Sequence, residues 1–149
     1  MSNLNKKAAE LFQEGFSCSE AIVHAAYECK IIDQNLNPEY LNQIVSAFSG
    51  GMGESGCLCG AVAGAQMVLG SVFGRKDTKT PPKNMKAISK SFVDKFKEKR
   101  KATCCRVLTA GYDFHSPERR QNCATIVADV AELLENHIKE NISQETSAL

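Results

Sequence analysis

The sequence predicts an all-α fold, a single-domain helical bundle of about five to six helices. Three observations lead there. Apolar residues recur at spacings of three and four through every long segment, the period of a helix face. Strictly alternating β-branched runs are absent. Helix-start signals stand at Ser17, Asn37 and Ser116. At 149 residues, one domain with a real core is expected. We place it at residues 1–140, with a frayed polar tail over 141–149. No internal repeat or low-complexity tract interrupts it.

The elements follow in order. Leu4, Ala8, Leu11 and Phe12 share one face of a first helix over about Asn3 to Glu14, which Gly15-Phe16 breaks. Ser17-Cys18-Ser19-Glu20 has the Ser-x-x-Glu form of a capping box and opens a second helix to about Lys30. Its inward stripe is Cys18, Ile22, Ala25 and Cys29. Asn37-Pro38 supplies a cap and a first-turn proline for a third helix, to about Phe48. Gly50-Gly51-Met52-Gly53 reads as a turn. A glycine-spaced helix over about Gly56 to Phe73 follows, with Gly56, Gly60 and Gly64 on one face. Each mid-helix glycine costs up to about 1 kcal/mol, so close packing against a neighbour, a cluster or a second subunit should offset it.

Arg75 to Lys83 is a polar connection. A fifth helix over about Pro82 to Arg100 turns Met85, Ile88, Phe92, Val93 and Phe96 inward. A short helical piece carries Cys104-Cys105 through Leu108, and Gly111 to His115 forms a loop. Ser116-Pro117 starts the last helix, to about Lys139, with Cys123, Val127, Val130, Leu134 and Ile138 inward.

Charge excludes several function classes. Eighteen basic and seventeen acidic side chains nearly cancel, so no global field attracts nucleic acid or a membrane surface. The basic run Lys95 to Lys101 sits at a helix end, where cations complement the dipole. Ser55 to Gly74 is free of charge, but its five glycines, Gln66 and two cysteines suit a buried central helix better than a membrane span.

Seven cysteines carry the chemical signal: Cys18, Cys29, Cys57, Cys59, Cys104, Cys105 and Cys123. The opening residues have no apolar core or small-residue cleavage site, so the expected location is the cytoplasm. There, thiols in such number point to metal binding or redox chemistry rather than disulfides. Cys18, Cys59 and Cys123 fall in the first turns of helices, where N–H groups and the dipole favour thiolate. With Cys105 they could converge at one end of the bundle. Cys29 lies eleven residues beyond Cys18, about 16 Å along the same helix, and reads as a core cysteine. Zinc-ribbon, ferredoxin and covalent-haem spacings are absent. Of the histidines, His24 reads as a packing or surface residue. His137 suits a helix end, and His115 reads as a surface loop histidine, though it could reach a site between Cys105 and Cys123.

Cys59-Gly60-Ala61-Val62-Ala63-Gly64 resembles the signature of the C-GCAxxG-C-C family, small proteins with four characteristic cysteines, named for suspected redox chemistry. Gly15-Phe16-Ser17-Cys18-Ser19-Glu20-Ala21 resembles its first cysteine block. Phe48 to Gly53, leading into Cys59, resembles the second, Cys105-Arg106-Val107-Leu108 the third, and Cys123 with Ala128 to Glu135 the fourth. The family is also similar to split-Soret cytochromes, dimeric helical proteins that combine an iron–sulfur site with haem. The haem-attachment motif is missing here, so the haem is not carried over.

The resemblance implies a four-cysteine site at Cys18, Cys59, Cys105 and Cys123. Cys57 and Cys104 are alternate ligands or resolving thiols. The leading expectation is an iron–sulfur cluster for electron transfer or redox sensing, since soft thiolates suit iron–sulfur. A metal-free thiol–disulfide protein and a zinc-stabilised interaction module are the alternatives. A redox partner is implied but not identified. A homodimer is expected from the small face at Gly56, Gly60 and Gly64 and from the dimeric relatives.

Overall fold

The computed structural model of the chain describes residues 3–148; Met1, Ser2 and Leu149 lie outside the described residues. It is all-α, with seven helices and no strand among those residues. We number them α1 (Asn3–Gln13), α2 (Cys18–Glu28), α3 (Pro38–Val45), α4 (Gly60–Phe73), α5 (Lys83–Arg100), α6 (Cys105–Leu108) and α7 (Pro117–Ala148). A single 3₁₀ turn over Ser46–Phe48 extends α3, and a four-residue helical turn over Ser49–Met52 follows it. None of the described helices is long and apolar enough to cross a membrane.

The caps act where the sequence places them. Glu20 Oε1 accepts from the Ser17 N–H at 2.9 Å. Asn37 Oδ1 accepts from the Glu39 and Tyr40 N–H groups at 2.9 and 3.1 Å. Ser116 Oγ accepts from the Arg119 N–H at 3.1 Å. Each satisfies backbone donors that a helix start leaves unpaired.

Helix α2 lies centrally, against α1, α3, α4 and α7. Fully buried Leu4 and Ala8 of α1, Ile22 and Ala25 of α2, and Val62, Ala65 and Leu69 of α4 meet Val127, Val130 and Leu134 of α7 in one core. Ile88, Phe92 and Phe96 of α5 close the far side. Ser19, fully buried on α2, donates its hydroxyl to the Val45 carbonyl at 2.7 Å and ties α3 to the centre.

Five expectations change. Gly56 to Cys59 are not helical. Gly56 takes φ +72, and this segment pairs with residues 103–106 through Cys59 N–H to Thr103 O (2.8 Å) and Arg106 N–H to Gly56 O (3.1 Å). Leu58 and Cys104 form the resulting antiparallel bridge. Cross-chain pairing has thus overridden local helical spacing.

The glycine face is also consumed inside the chain. A side chain at Gly64 would stand 2.9 Å from the Ser19 carbonyl oxygen, and one at Gly60 would stand 2.5 Å from Cys18 Sγ. These glycines let α4 approach α2, so they give a second subunit no surface. Third, the last helix continues past Lys139 to Ala148, because no glycine or proline stops it and Asn141 donates to the His137 carbonyl at 2.8 Å. The tail expected over 141–149 is helical as far as it is described.

His137 consequently sits inside a helix rather than at its end. It is 2% exposed, with Nε2 2.9 Å from the Ile88 carbonyl and Nδ1 3.0 Å from Lys95 Nζ. That pairing makes Nε2 the donor and Nδ1 the acceptor of a neutral ring. Finally, Cys29 is half-buried at the margin of the core, not within it.

His137 predicts a pH dependence of stability. Burial lowers its pKa below the ordinary 6.5, with Lys95 adding to the shift against the opposing Ile88 carbonyl. The unfolded chain takes up this proton near 6.5, while the folded chain resists it until the lower value. The contribution is therefore complete above 6.5 and is lost as pH falls through the interval below it. Urea unfolding at pH 7.5 and 5.5 should show a loss that His137→Gln largely removes. An equal loss in the variant would assign the slope to other groups.

Candidate functional site

The four family-position cysteines reach one cavity from four separate places in the chain. Cys18 is the first residue of α2, Cys59 caps α4, Cys105 is the first residue of α6, and Cys123 lies in the second turn of α7. All four line a cavity of about 290 Å³. That is near the lower end of small-ligand pockets, about 300 Å³. Cys29 is elsewhere, in a groove with Asn3, Lys7 and Glu135. Cys57 and Cys104 are exposed and do not line the cavity.

A left-handed turn borders the cavity through Gly50 and Glu54. Gly50, Gly51, Met52, Gly53 and Glu54 all have φ between +65 and +71. Such values disfavour L side chains, so Met52 and Glu54 hold strained backbone next to the site. The Gly53 and Glu54 N–H groups close the turn on the Ser49 carbonyl at 3.0 and 3.3 Å. Gly56 N–H and Cys57 N–H then bond the Gly50 and Gly51 carbonyls at 3.2 and 3.0 Å, which fastens the loop to the segment leading to Cys59. At Gly51 only glycine fits, because an added Cβ would lie 2.6 Å from Cys105 Cβ.

The sulfurs are surrounded by donors. The N–H groups of Gly50 and Ser19 and the Ser49 hydroxyl favour charge on Cys18. Those of Val62 and Ala61 do so for Cys59. Arg119 Nη2 donates to Cys105 Sγ at 3.3 Å. Arg119 and Arg120 favour charge on Cys123.

Burial nevertheless outweighs the donors. It pushes the Cys18 and Cys123 thiols up, and the Cys59 thiol up to about 12. The helix starts therefore do not make low-pKa nucleophiles here, contrary to the sequence expectation. Desolvation of a thiolate exceeds what a few N–H groups return. Burial thus favours the protonated thiol at Cys18, Cys59 and Cys123.

Charge in the cavity is unbalanced. Arg119 and Arg120 both line it, and neither pairs with a carboxylate among the described residues. Among the described residues, Arg119 Nε is buried without a hydrogen-bond partner. Glu54 is the only acidic residue among the lining side chains. The sequence reading missed both arginines. Their signal was the spacing Arg119 to Cys123, four residues apart on one helix face. His115 is exposed, as its reading as a surface loop histidine has it, and also borders the cavity; Phe114 packs against both His115 and Arg119.

Residues 16–137 match the family model described as "Putative redox-active protein (C_GCAxxG_C_C)". The chain belongs to this family. The matched span contains all four cavity cysteines, from Cys18 to Cys123. No curated protein and no solved structure matches the chain. Membership of the C-GCAxxG-C-C family is consistent with a redox role, and it bears on which cysteines matter. Those at the signature positions line the cavity, while the additional Cys29, Cys57 and Cys104 do not.

Among the described residues, no group of three or more His, Cys, Asp and Glu side chains is gathered closely enough to hold one metal ion. The four thiols bound a space rather than meet at a point. An iron–sulfur cluster spreads four thiolates over two or four iron atoms, so a wider ring of sulfurs suits it. A tetrahedral zinc ion needs all four within about 2.3 Å of one centre.

Proposed function

We propose that this protein exchanges or senses electrons through an iron–sulfur cluster held by Cys18, Cys59, Cys105 and Cys123. The observation that carries the reading is the cavity itself. Four thiols from four distant sequence positions line one small space, beside two arginines without carboxylate partners. Arg119 is half-buried, and its Nε is buried with no hydrogen-bond partner among the described residues, so its charge is poorly compensated there. A site with four thiolates supplies the missing negative charge. When bound, such a cluster supplies reversible one-electron exchange at a potential tuned by surrounding hydrogen bonds and burial.

The chain's own residues do the rest. Gly50, Ser19, Val62 and Ala61 point backbone donors at two of the sulfurs, which lowers the energy of charged ligands. Phe12, Ile126 and Val127 wall the cavity with apolar surface and limit water. The left-handed turn leaves room for Cys105 to stand against Gly51.

The raised thiol pKa values oppose the metal-free alternative, because thiolate is the attacking form in disulfide exchange. Anaerobic purification, or reconstitution with ferrous iron and sulfide, tests the proposal. The expected product is brown, with iron and inorganic sulfide in equal amounts and an electron paramagnetic resonance signal on reduction. A colourless protein carrying one zinc would establish the zinc-module reading instead. A colourless, metal-free protein that refuses reconstitution would leave the thiol–disulfide reading.

A further inference from the structure

We propose that Arg119 is a positioning residue of the redox site, whose hydrogen bond to Cys105 Sγ raises the potential at which the site accepts an electron. The inference rests on the four-thiolate reading above. Arg119 and Arg120 are neighbours in the first turn of α7, yet the fold uses them differently. Arg120 donates to the Phe12 and Phe16 carbonyls and stacks 3.9 Å over the Phe12 ring, so it clamps α7 to α1. Among the described residues, the Arg119 side chain makes no such link to a backbone carbonyl. Its guanidinium lies 3.9 Å over the Phe114 ring and turns Nη2 onto Cys105 Sγ at 3.3 Å. The stack fixes the fork of donors, and the half-buried setting strengthens its charge.

The electrostatic consequence has a definite sign. Uptake of one electron from an external one-electron donor adds one negative charge to the site, with no bond broken. A cation and hydrogen-bond donor at a ligand sulfur stabilises that reduced state more than the oxidised one, so the potential rises. Arg119 Nε, buried and without a partner, adds further positive potential at the same wall. Arg119 is not needed to join α7 to α1, since Arg120 already provides that clamp.

The test is a potentiometric titration of the anaerobically reconstituted full chain, followed by electron paramagnetic resonance. Arg119→Met should titrate at a lower midpoint than the unsubstituted protein, and Arg119→Lys should fall between them. Phe114→Leu frees the guanidinium while keeping its charge, and should shift the midpoint in the same direction by less. Arg120→Met should lower the urea midpoint with a smaller change in potential. If Arg119→Met takes up no iron, Arg119→Gln and Phe114→Leu carry the measurement. An unchanged midpoint in every Arg119 and Phe114 variant that loads would overturn the proposal and leave the four-thiolate site standing. Failure of the unsubstituted chain to bind iron and sulfide would remove both.

Discussion

In Cys59→Ser, iron and sulfide uptake is expected to fall to background. Like Cys105, Cys59 is buried, at 6% exposed. Its sulfur faces the Val62 and Ala61 N–H groups at the start of α4. A serine hydroxyl is a harder, far weaker acid than a thiol and does not replace thiolate at iron. Cys18→Ser, Cys105→Ser and Cys123→Ser should each behave similarly. Cys29→Ser should load fully, because Cys29 lies in a different groove.

Uptake should also depend on pH. Three of the four thiols are raised by burial, Cys59 to about 12. Binding must release those protons, so affinity falls as pH falls throughout the neutral range. Loading measured at pH 6.5 and 8.5 should differ in favour of the higher value. Full loading in Cys59→Ser, or full loading in Cys18→Ser, Cys105→Ser and Cys123→Ser, would break the assignment.

Gly51→Ala should destabilise the protein by about 2–5 kcal/mol, a large part of a typical domain's total stability. Two terms add. The backbone at φ +70 disfavours any L side chain by about 1–2 kcal/mol. The new methyl would stand 2.6 Å from Cys57 N and from Cys105 Cβ, and 2.8 Å from Cys57 O. Two of these are backbone atoms bonded into the loop, so they cannot swing away. Overpacking of this kind costs about 1–3 kcal/mol.

Gly53→Ala is the comparison. Its φ is +65, but nothing lies within 4 Å of an added Cβ. It should lose only the backbone part. Urea unfolding of both variants measures the difference, and equal losses would show that the contact with Cys105 has no weight. Because the collision falls on a proposed ligand, Gly51→Ala should also reduce iron uptake, while Gly53→Ala should not.

Helical spacing and caps determined the class of the fold and most helix starts, because both are local. Leu4, Ala8, Leu11 and Phe12 share a face whatever they meet, and Asn37 can cap α3 with its own side chain. Where distant chain segments bond, local spacing lost. Gly56 to Cys59 read as helix but pair with residues 103–106. The small face of Gly60 and Gly64 is filled by Cys18, Ser19 and Ile22 of α2, which a sequence pattern cannot distinguish from a subunit contact.

The cysteine positions were likewise readable from their order in the chain, since helix starts and the family signature mark them one by one. What only the tertiary structure decided is their environment. Charge on a sulfur depends on water, and water at Cys59 is excluded by residues scattered from Phe12 to Val127. Burial of that kind reversed the expected thiol pKa, drew Arg119 onto Cys105, and left Cys29 outside the cavity. A helix dipole acts over one turn and is visible in sequence. Desolvation sums over every atom that surrounds a group, and exists only once the chain has folded.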